Sequence, residues 1–423
     1  MNFVRALPLL LLAGFAGAQD EFSFDLDELA KPPYEIGGYL ELRAERDAVD
    51  RGSPFSRLNF RGEAAPDNLF RRGLTAHLEA SYSWSDTSVH FVGEQVIQND
   101  DFRHADRAVA QEGYLRLRPA DATIIDIGKR ALLWGKGYAF SPVGFVERRK
   151  DPNDPNLARE GFFMAVADWV TRRPGDLTAI GITALLLPVT DGINDDFGPG
   201  DHLNPALKLY LLYQDTDIDL IWASDGSRPT RWGFDLSRNL GPSLEIHAEW
   251  AHTGKADYPV VADDGSIQRR EATATSYLFG LRWISESETT WIAEYYRNGT
   301  GYTGEQFSDF VATLDRALDN GQDLDRIADL ATERYSGQGI GRRYAYLRAS
   351  WKEPFDVVYL SSALQVLYNL EDDSASYIGE LIYTGITNTE LRLRLGVLDG
   401  KDDSEFGSKQ NATRIEARFR YYF

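Results

Sequence analysis

The last ten residues read RIEARFRYYF, 414–423. Ile415, Ala417, Phe419, Tyr421 and Phe423 take every second position, and Arg414, Glu416, Arg418, Arg420 and Tyr422 lie between them. Successive side chains of an extended chain point to opposite faces, so this is a strand with one apolar and one polar side. The same two-residue period recurs along the chain. Leu40, Leu42 and Ala44 alternate with Glu41, Arg43 and Glu45; Leu74, Ala76, Leu78, Ala80, Tyr82 and Trp84 with Thr75, His77, Glu79, Ser81 and Ser83; Leu391, Leu393, Leu395 and Val397 with Glu390, Arg392, Arg394 and Gly396.

A soluble β-sandwich alternates too. The polar face separates the two, because charged residues stand in rows along strand after strand, as in the wet interior of a closed barrel whose outer face meets lipid. Hydrocarbon also demands closure, since an open sheet edge there leaves backbone groups unpaired. Eighteen segments, from 37–47 to 411–423, read as strands, most of roughly 9 to 13 residues, enough to cross a bilayer at a tilt. Tight turns such as SDT at 85, PADA at 119, DTD at 215 and TNT at 387 alternate with longer, acidic, glycine-rich connections such as TDGINDDFGPGDHLN and KADYPVVADDGSIQ. Short turns at one end and long loops at the other is the outer-membrane barrel pattern. SRLNFRGEA, 56–64, alternates as well and leaves the strand number open between 16 and 20.

The chain has 423 residues, 26% charged and 43% hydrophobic, which excludes both a disordered chain and an α-helical membrane protein. It begins MNFVRALPLLLLAGFAGAQD: one basic residue, an apolar run from Ala6, then Ala16-Gly17-Ala18, the small-x-small pattern of a signal-peptidase site. Residues 1–18 are therefore read as a cleaved secretory leader, 19–36 as a short periplasmic segment and 37–423 as the barrel. After residue 18 no apolar stretch approaches the roughly 18 residues that a spanning helix needs. Cysteine is absent, which removes disulfides, thiolate metal sites and lipoprotein attachment. A formal net charge of −20 makes nucleic acid a poor partner.

With Phe419, Tyr421 and Phe423 on its lipid face, the closing strand resembles that of Gram-negative outer-membrane β-barrels of the porin superfamily. By strand count alone the chain also resembles the 18-stranded, alginate-export-like exporters of acidic polysaccharide. The first resemblance implies a signal read by the outer-membrane insertion machinery at Phe419, Tyr421 and Phe423, a bacterial outer-membrane location among lipid and lipopolysaccharide, and diffusion of small polar or anionic solutes. The alternatives are polysaccharide export, a barrel-borne enzyme and a structural or adhesive barrel. A folded plug domain of an energised receptor does not fit into residues 19–36. Oligomeric state is not legible, because lipid-facing and subunit-facing apolar residues look the same.

Function in such a barrel resides in the inward charges and in any loop that enters the channel. The third long connection, LWGKGYAFSPVGFVERRKDPNDPNLAR, 133–159, is the candidate constriction, where Arg148, Arg149 and Lys150 would face Asp151 and Asp154; the alternative is a solvated external loop. At the closing seam Arg43, Arg392, Arg394, Arg414, Arg418 and Arg420 share the inward face, extended by Arg116, Arg118 and Arg130. Interleaved Glu41, Glu45, Glu390 and Glu416 leave two readings, an anion path or a neutralised salt-bridge wall. In the connection 299–341, Phe307, Phe310, Val311, Leu314 and Leu318 recur at helical spacing behind a capping box from Thr303 to Gln306, and Leu324, Ile327, Ala328, Ala331 and Tyr335 follow. This predicts a helical hairpin over about 303–337, either an external lid or a plug. No catalytic constellation is present: G-x-S-x-G, H-E-x-x-H and P-loop patterns are missing, and His247 between Glu245 and Glu249 reads as part of a polar wall. DPNDPN lacks the spacing of a calcium loop. No metal or other cofactor is expected.

Overall fold

The computed structural model describes residues 32–423 except 62, 156, 158, 263 and 264. The expected leader at 1–18 and most of the expected segment 19–36 lie outside the described residues. The strands are β1 Tyr34–Val49, β2 Asn68–Trp84, β3 Thr87–Asn99, β4 His104–Ala120, β5 Thr123–Arg130, β6 Phe162–Arg172, β7 Leu177–Val189, β8 His202–Tyr213 and β9 Thr216–Ala223. They continue as β10 Arg231–Asn239, β11 Leu244–Val261, β12 Ile267–Ile284, β13 Thr290–Arg297, β14 Arg343–Lys352, β15 Leu360–Asn369, β16 Ala375–Ile386, β17 Thr389–Asp399 and β18 Asn411–Tyr422. Each strand pairs antiparallel with the next, and β1 pairs with β18, so the sheet closes on itself as an 18-stranded barrel.

Every segment expected to be a strand is one, and the eight tight turns all lie at the end of the barrel that also holds both ends of the sheet, Tyr34 and Phe423. The seam is tied there by a reciprocal backbone pair, Gly38 N to Phe423 O at 3.2 Å and Phe423 N to Gly38 O at 3.1 Å. Glycine is required at 38, because a Cβ would collide with the His77 carbonyl oxygen and stand 3.0 Å from the Phe423 ring. The phase is as expected. Ile415, Phe419, Tyr421 and Phe423 are exposed on the outer face, whereas Glu41, Glu45, Asp47 and Glu416 are buried inside. Outward aromatics collect at both rims, Tyr82, Trp84, Trp169, Trp283 and Tyr421 at the turn end, and Phe70, Phe163, Trp222 and Trp232 at the loop end, as in the interfacial girdles of membrane barrels.

One open stretch is settled and one local expectation is corrected. SRLNFRGEA is not a strand: α1 spans Pro54–Asn59, with Ser53 as N-cap accepting from Ser56 N and Pro54 in the first turn. A Ser-Pro helix start outweighs a short alternating run, because proline has its φ preset and its missing N–H is one that the first turn leaves unpaired anyway. The stretch KADYPVVADDGSIQ is mostly not a loop either. β11 and β12 run on past the barrel, paired from Ala256–Ala272 to Val261–Ile267.

That extension supports a roof at the loop end. α2, Gly304–Asn320, has the expected capping box from Thr303 to Gln306 and ends on Gly321 at φ 65°; α3, Leu324–Leu330, runs into a π-turn over Ala331–Tyr335. Phe307, Phe310, Leu314 and Tyr335 pack with Phe55 and Leu58 of α1 and with Val261 of β11. Ion pairs from Arg57 to Asp315 (2.7 Å) and Asp319 (2.5 Å) add to the join. Lys409 donates to the Tyr335, Ser336 and Gly337 carbonyls where the π-turn ends, a position that favours a cation. The hairpin therefore caps the barrel, and only its last residues, from Arg334, and those just after it reach inward.

Candidate functional site

The third long connection, residues 131–161 between β5 and β6, folds into the barrel. Its apolar residues Leu132, Trp134, Val143, Phe145 and Val146 pack on Phe162, Met164, Val166, Leu185, Leu187, Val189 and Ile221, all on the inner face of β6–β9. Fully burying side chains of this kind contributes roughly 1.5–3 kcal/mol each, which is why the loop turns inward. Polar anchors then set its course. Glu249 on β11 accepts from the backbone N–H of Lys136 and Gly137, both at 2.6 Å, and of Val143 at 3.3 Å. Glu294 on β13 accepts from Tyr138 N and from Ala139 N at 2.9 Å, and its Oε1 lies 3.1 Å from His247 Nε2. Four consecutive amides are thus held by two buried carboxylates. Gly135 makes the turn possible at φ +94°, with any Cβ 2.6 Å from Glu249 Oε1. Farther along, the loop crosses to the opposite wall. Pro152 O accepts from Gln365 Nε2 at 2.9 Å, Asn153 Oδ1 from Ser376 at 3.1 Å, and Asp154 pairs with Arg394 at 3.0 Å and Arg418 at 3.8 Å.

The seam arginines are ion-paired. Arg420 meets Glu41 at 2.7 Å, Arg43 meets Glu45 at 3.2 Å, Arg414 meets Asp47 at 2.7 Å and Arg418 meets Glu416 at 2.7 Å. Arg392 pairs with Glu390 at 3.1 Å and Glu380 at 3.5 Å, and Arg394 with Glu380 at 3.5 Å. The register explains the pattern. Arg43 stands directly opposite Arg418, and Glu45 opposite Glu416. Like charges directly across a strand pair repel, so each turns to the carboxylate two residues along its own strand. Of the two readings of this face, the geometry is that of the salt-bridge wall. Arg116 pairs with Asp126 at 2.9 Å, Arg130 with Asp126 and with Asp168 at 3.5 Å, and Arg118 is exposed at the turn end of β4.

The crossing loop divides the interior into two spaces, each against one of its faces. The first, a passage of about 610 Å³, lies between the loop and the seam. Its wall runs from Phe55, Asn59, Gln338 and Lys409 under the roof, along β18 from Asn411 to Arg420, to Tyr39 near the turn end. Asp151 and Asp154 face this passage. The second is a chamber of about 630 Å³ on the opposite side, lined by Arg148, Arg149 and Lys150 together with the loop-end residues of β10–β13. The constriction residues therefore do not face one another across one narrow point: the basic three and the acidic two belong to different spaces. Among them Arg148 pairs with Asp196 and stacks on Phe162 at 4.5 Å, Arg149 donates to Gly339 O at 3.2 Å, and Lys150 donates to Gly137 O.

Three chamber residues went unnoticed in the sequence: Arg228, Arg231 and Arg334. Among the described residues Arg228 donates only to the carbonyls of Phe197 (2.6 Å) and Phe145 (3.2 Å), and Arg334 to Thr300 O while lying over the rings of Tyr258 (4.4 Å) and Tyr302 (4.5 Å). Burial, helped by Arg231 and Arg148, pushes the Arg228 guanidinium down to about 9, and burial pushes Arg334 down to about 10. Burial likewise lowers Lys150 against the pull of Glu249 and Glu147. These residues lie in or beside irregular loops, where no period reveals which way a side chain points. The inward loop did leave a signal: LLLPV, 185–189, is apolar at consecutive positions, so the wall there is apolar on both faces.

No protein-family model matches the chain, and no curated protein matches it. Solved structures do. OccAB1 of Acinetobacter baumannii superposes with a TM-score of 0.54 at 11% identity, covering 94% of this chain and 99% of that one. OccAB4 of A. baumannii gives 0.53 at 9% identity, covering 93% and 99%. OccK3 (OpdO) of Pseudomonas aeruginosa gives 0.52 at 12% identity, covering 92% and 96%. At such identities the likeness is one of fold, and the fold is that of 18-stranded outer-membrane porins.

Proposed function

We propose that the protein is an outer-membrane channel that passes small polar or anionic solutes by diffusion along the seam passage. The observation that carries this reading is the row of polar side chains from the roof to the turn end, Asn411, Arg414, Glu416, Arg418 and Arg420 of β18, a stretch that extends about 30 Å at roughly 3.3 Å per residue. Seven basic and five acidic side chains line it, and the carboxylates of Glu45 and Asp47 that balance the excess are buried behind Arg43, Arg71 and Arg414, so the groups facing the passage are mildly basic although the wall as a whole is close to neutral and the chain acidic. Charges on a narrow wall act on a permeating ion more strongly than charges on exposed loops. In planar bilayers the purified protein is expected to conduct with a modest preference for Cl⁻ over K⁺ that fades toward 1 M salt, where the screening length is roughly 3 Å. A barrel that inserts but carries no current overturns the channel. A preference for K⁺ at low salt overturns the anionic solute. The exporter of acidic polysaccharide shares the strand number, but the Occ structures lend it no support.

Assembly has its own test. Phe423 completes the seam through its pairing with Gly38, and its exposed ring is available to the insertion machinery. Deleting Phe423 is expected to lower the heat-resistant barrel fraction in outer membranes and to leave precursor in the periplasm. Normal membrane levels of the deletion variant count against a signal role.

A further inference from the structure

The chamber beside the crossing loop has an electrostatic character that the passage lacks. Seven basic side chains line it against three acidic ones. The three acids are already engaged, Glu147 with Arg159 at 2.6 Å, Asp196 with Arg148, and Asp257 with Arg269 at 2.9 Å. Arg149, Arg228, Arg231 and Arg334 have no ion pair among the described residues, and the buried Nε–H groups of Arg231 and Arg334 have no acceptor there. Arg149 is exposed, but Arg228, Arg231 and Arg334 are half-buried, and leaving such a guanidinium without a counter-charge is costly. The four form two neighbouring pairs, Arg228 beside Arg231 and Arg149 beside Arg334, each pair repelling internally.

The lining on β10–β13 stays at the loop end of the wall: Arg231 is the first residue of β10, and Tyr296 the last but one of β13. Beneath it lies the stretch held by Glu249 and Glu294. The chamber is thus a recess at the loop end of the wall, across the crossing loop from the passage, with Gln338 lining both.

We propose that this recess binds a phosphorylated solute, with one dianionic phosphate-type group at each arginine pair. Charge matching selects this class. A phosphate group carries roughly −1.5 to −2 at neutral pH and presents three acceptor oxygens, enough for two guanidinium groups, whereas a carboxylate neutralises one. The recess is wider than a single phosphate, and the aromatic walls of Phe140, Phe162, Tyr258 and Tyr296 suit the body of a larger solute between two charged ends. Because Arg149 belongs to the crossing loop and Arg334 to the π-turn below the roof, a bound anion also ties the loop to the roof.

The site lies across the crossing loop from the passage and is read by binding, so it stands or falls separately from the channel reading. The probe is pyrophosphate, titrated calorimetrically into the detergent-solubilised protein at about 0.01 M salt, where the screening length is roughly 30 Å. Saturable binding is expected, weakened about tenfold or more by Arg231→Met with Arg334→Met, and weakened less by the corresponding lysine variants, which keep the charge but lose the planar fork. Heat-resistant migration of each variant confirms that the barrel has formed. Removing two unpaired half-buried charges should leave that migration intact, and a variant that fails this check is replaced by its lysine counterpart. The absence of saturable binding, unchanged affinity in the folded methionine variant, or succinate binding as tightly as pyrophosphate would overturn the proposal.

Discussion

Replacing Glu249 and Glu294 together by alanine should raise single-channel conductance by roughly twofold or more, because the loop that crosses the lumen loses its hold on the β11–β13 wall. The two carboxylates accept five backbone N–H groups of the stretch from Lys136 to Val143. Hydrogen bonds to charged groups contribute roughly 1.5–3 kcal/mol each, and the amides left without acceptors would seek water instead of the wall. The apolar half of the loop stays docked on β6–β9 through Trp134, Phe145 and Val146, so the barrel itself should still form. Larger current with greater noise, from a barrel of unchanged heat resistance, is the expected record. Glu249→Gln alone keeps one carbonyl acceptor and should have a smaller effect. Unchanged conductance in the double alanine variant would show that the loop does not limit flow.

The second large effect is expected from Arg394→Ala with Arg418→Ala. Both side chains pair with Asp154 of the crossing loop, and they also hold Glu380 and Glu416. Without them Asp154 and Glu416 face the passage with fewer counter-charges, and its excess of base, seven side chains to five acids, is lost at five to five. The reversal potential should move toward K⁺ until the small Cl⁻ preference is lost, within the ideal limit of about 59 mV per tenfold gradient. The change should be largest at low salt. Breaking buried pairs from one side costs roughly 3–5 kcal/mol, so a lower melting midpoint should accompany it. Adding Asp154→Asn should restore part of both losses. A double variant with unchanged selectivity would mean that ions do not pass Arg394 and Arg418.

The sites of these two predictions differ in how far they could be read in advance. Arg394 and Arg418 were legible because their phase is set by Leu393, Leu395, Ala417 and Phe419 on either side, and the two strands are neighbours along the chain. That they are paired, and with which carboxylates, was open. The role of Glu249 and Glu294 was not legible at all. Both alternate inward like many other wall residues, and nothing local says that amides from a loop 106 to 156 residues away will meet them.

What the sequence determined by itself is whatever depends on neighbours along the chain. Alternation set the strand phase and outer face, turn chemistry set the connections, the capping box at Thr303 started α2, and hydrocarbon's intolerance of unpaired edges forced closure. The stretch left open at 56–64 is decided in the same local terms, with Ser53-Pro54 prevailing over the alternating run. Only the tertiary structure decided which charges cancel. Arg420 and Glu41 are 379 residues apart and meet because the barrel closes in one register. It also decided that Arg148, Arg149 and Lys150 face one space while Asp151 and Asp154 face another, since the crossing loop is steered by apolar burial on β6–β9 and by carboxylates on β11 and β13. Electrostatic pairing depends on distances of a few ångströms between groups distant in sequence, and a one-residue shift in register would exchange the inner and outer faces.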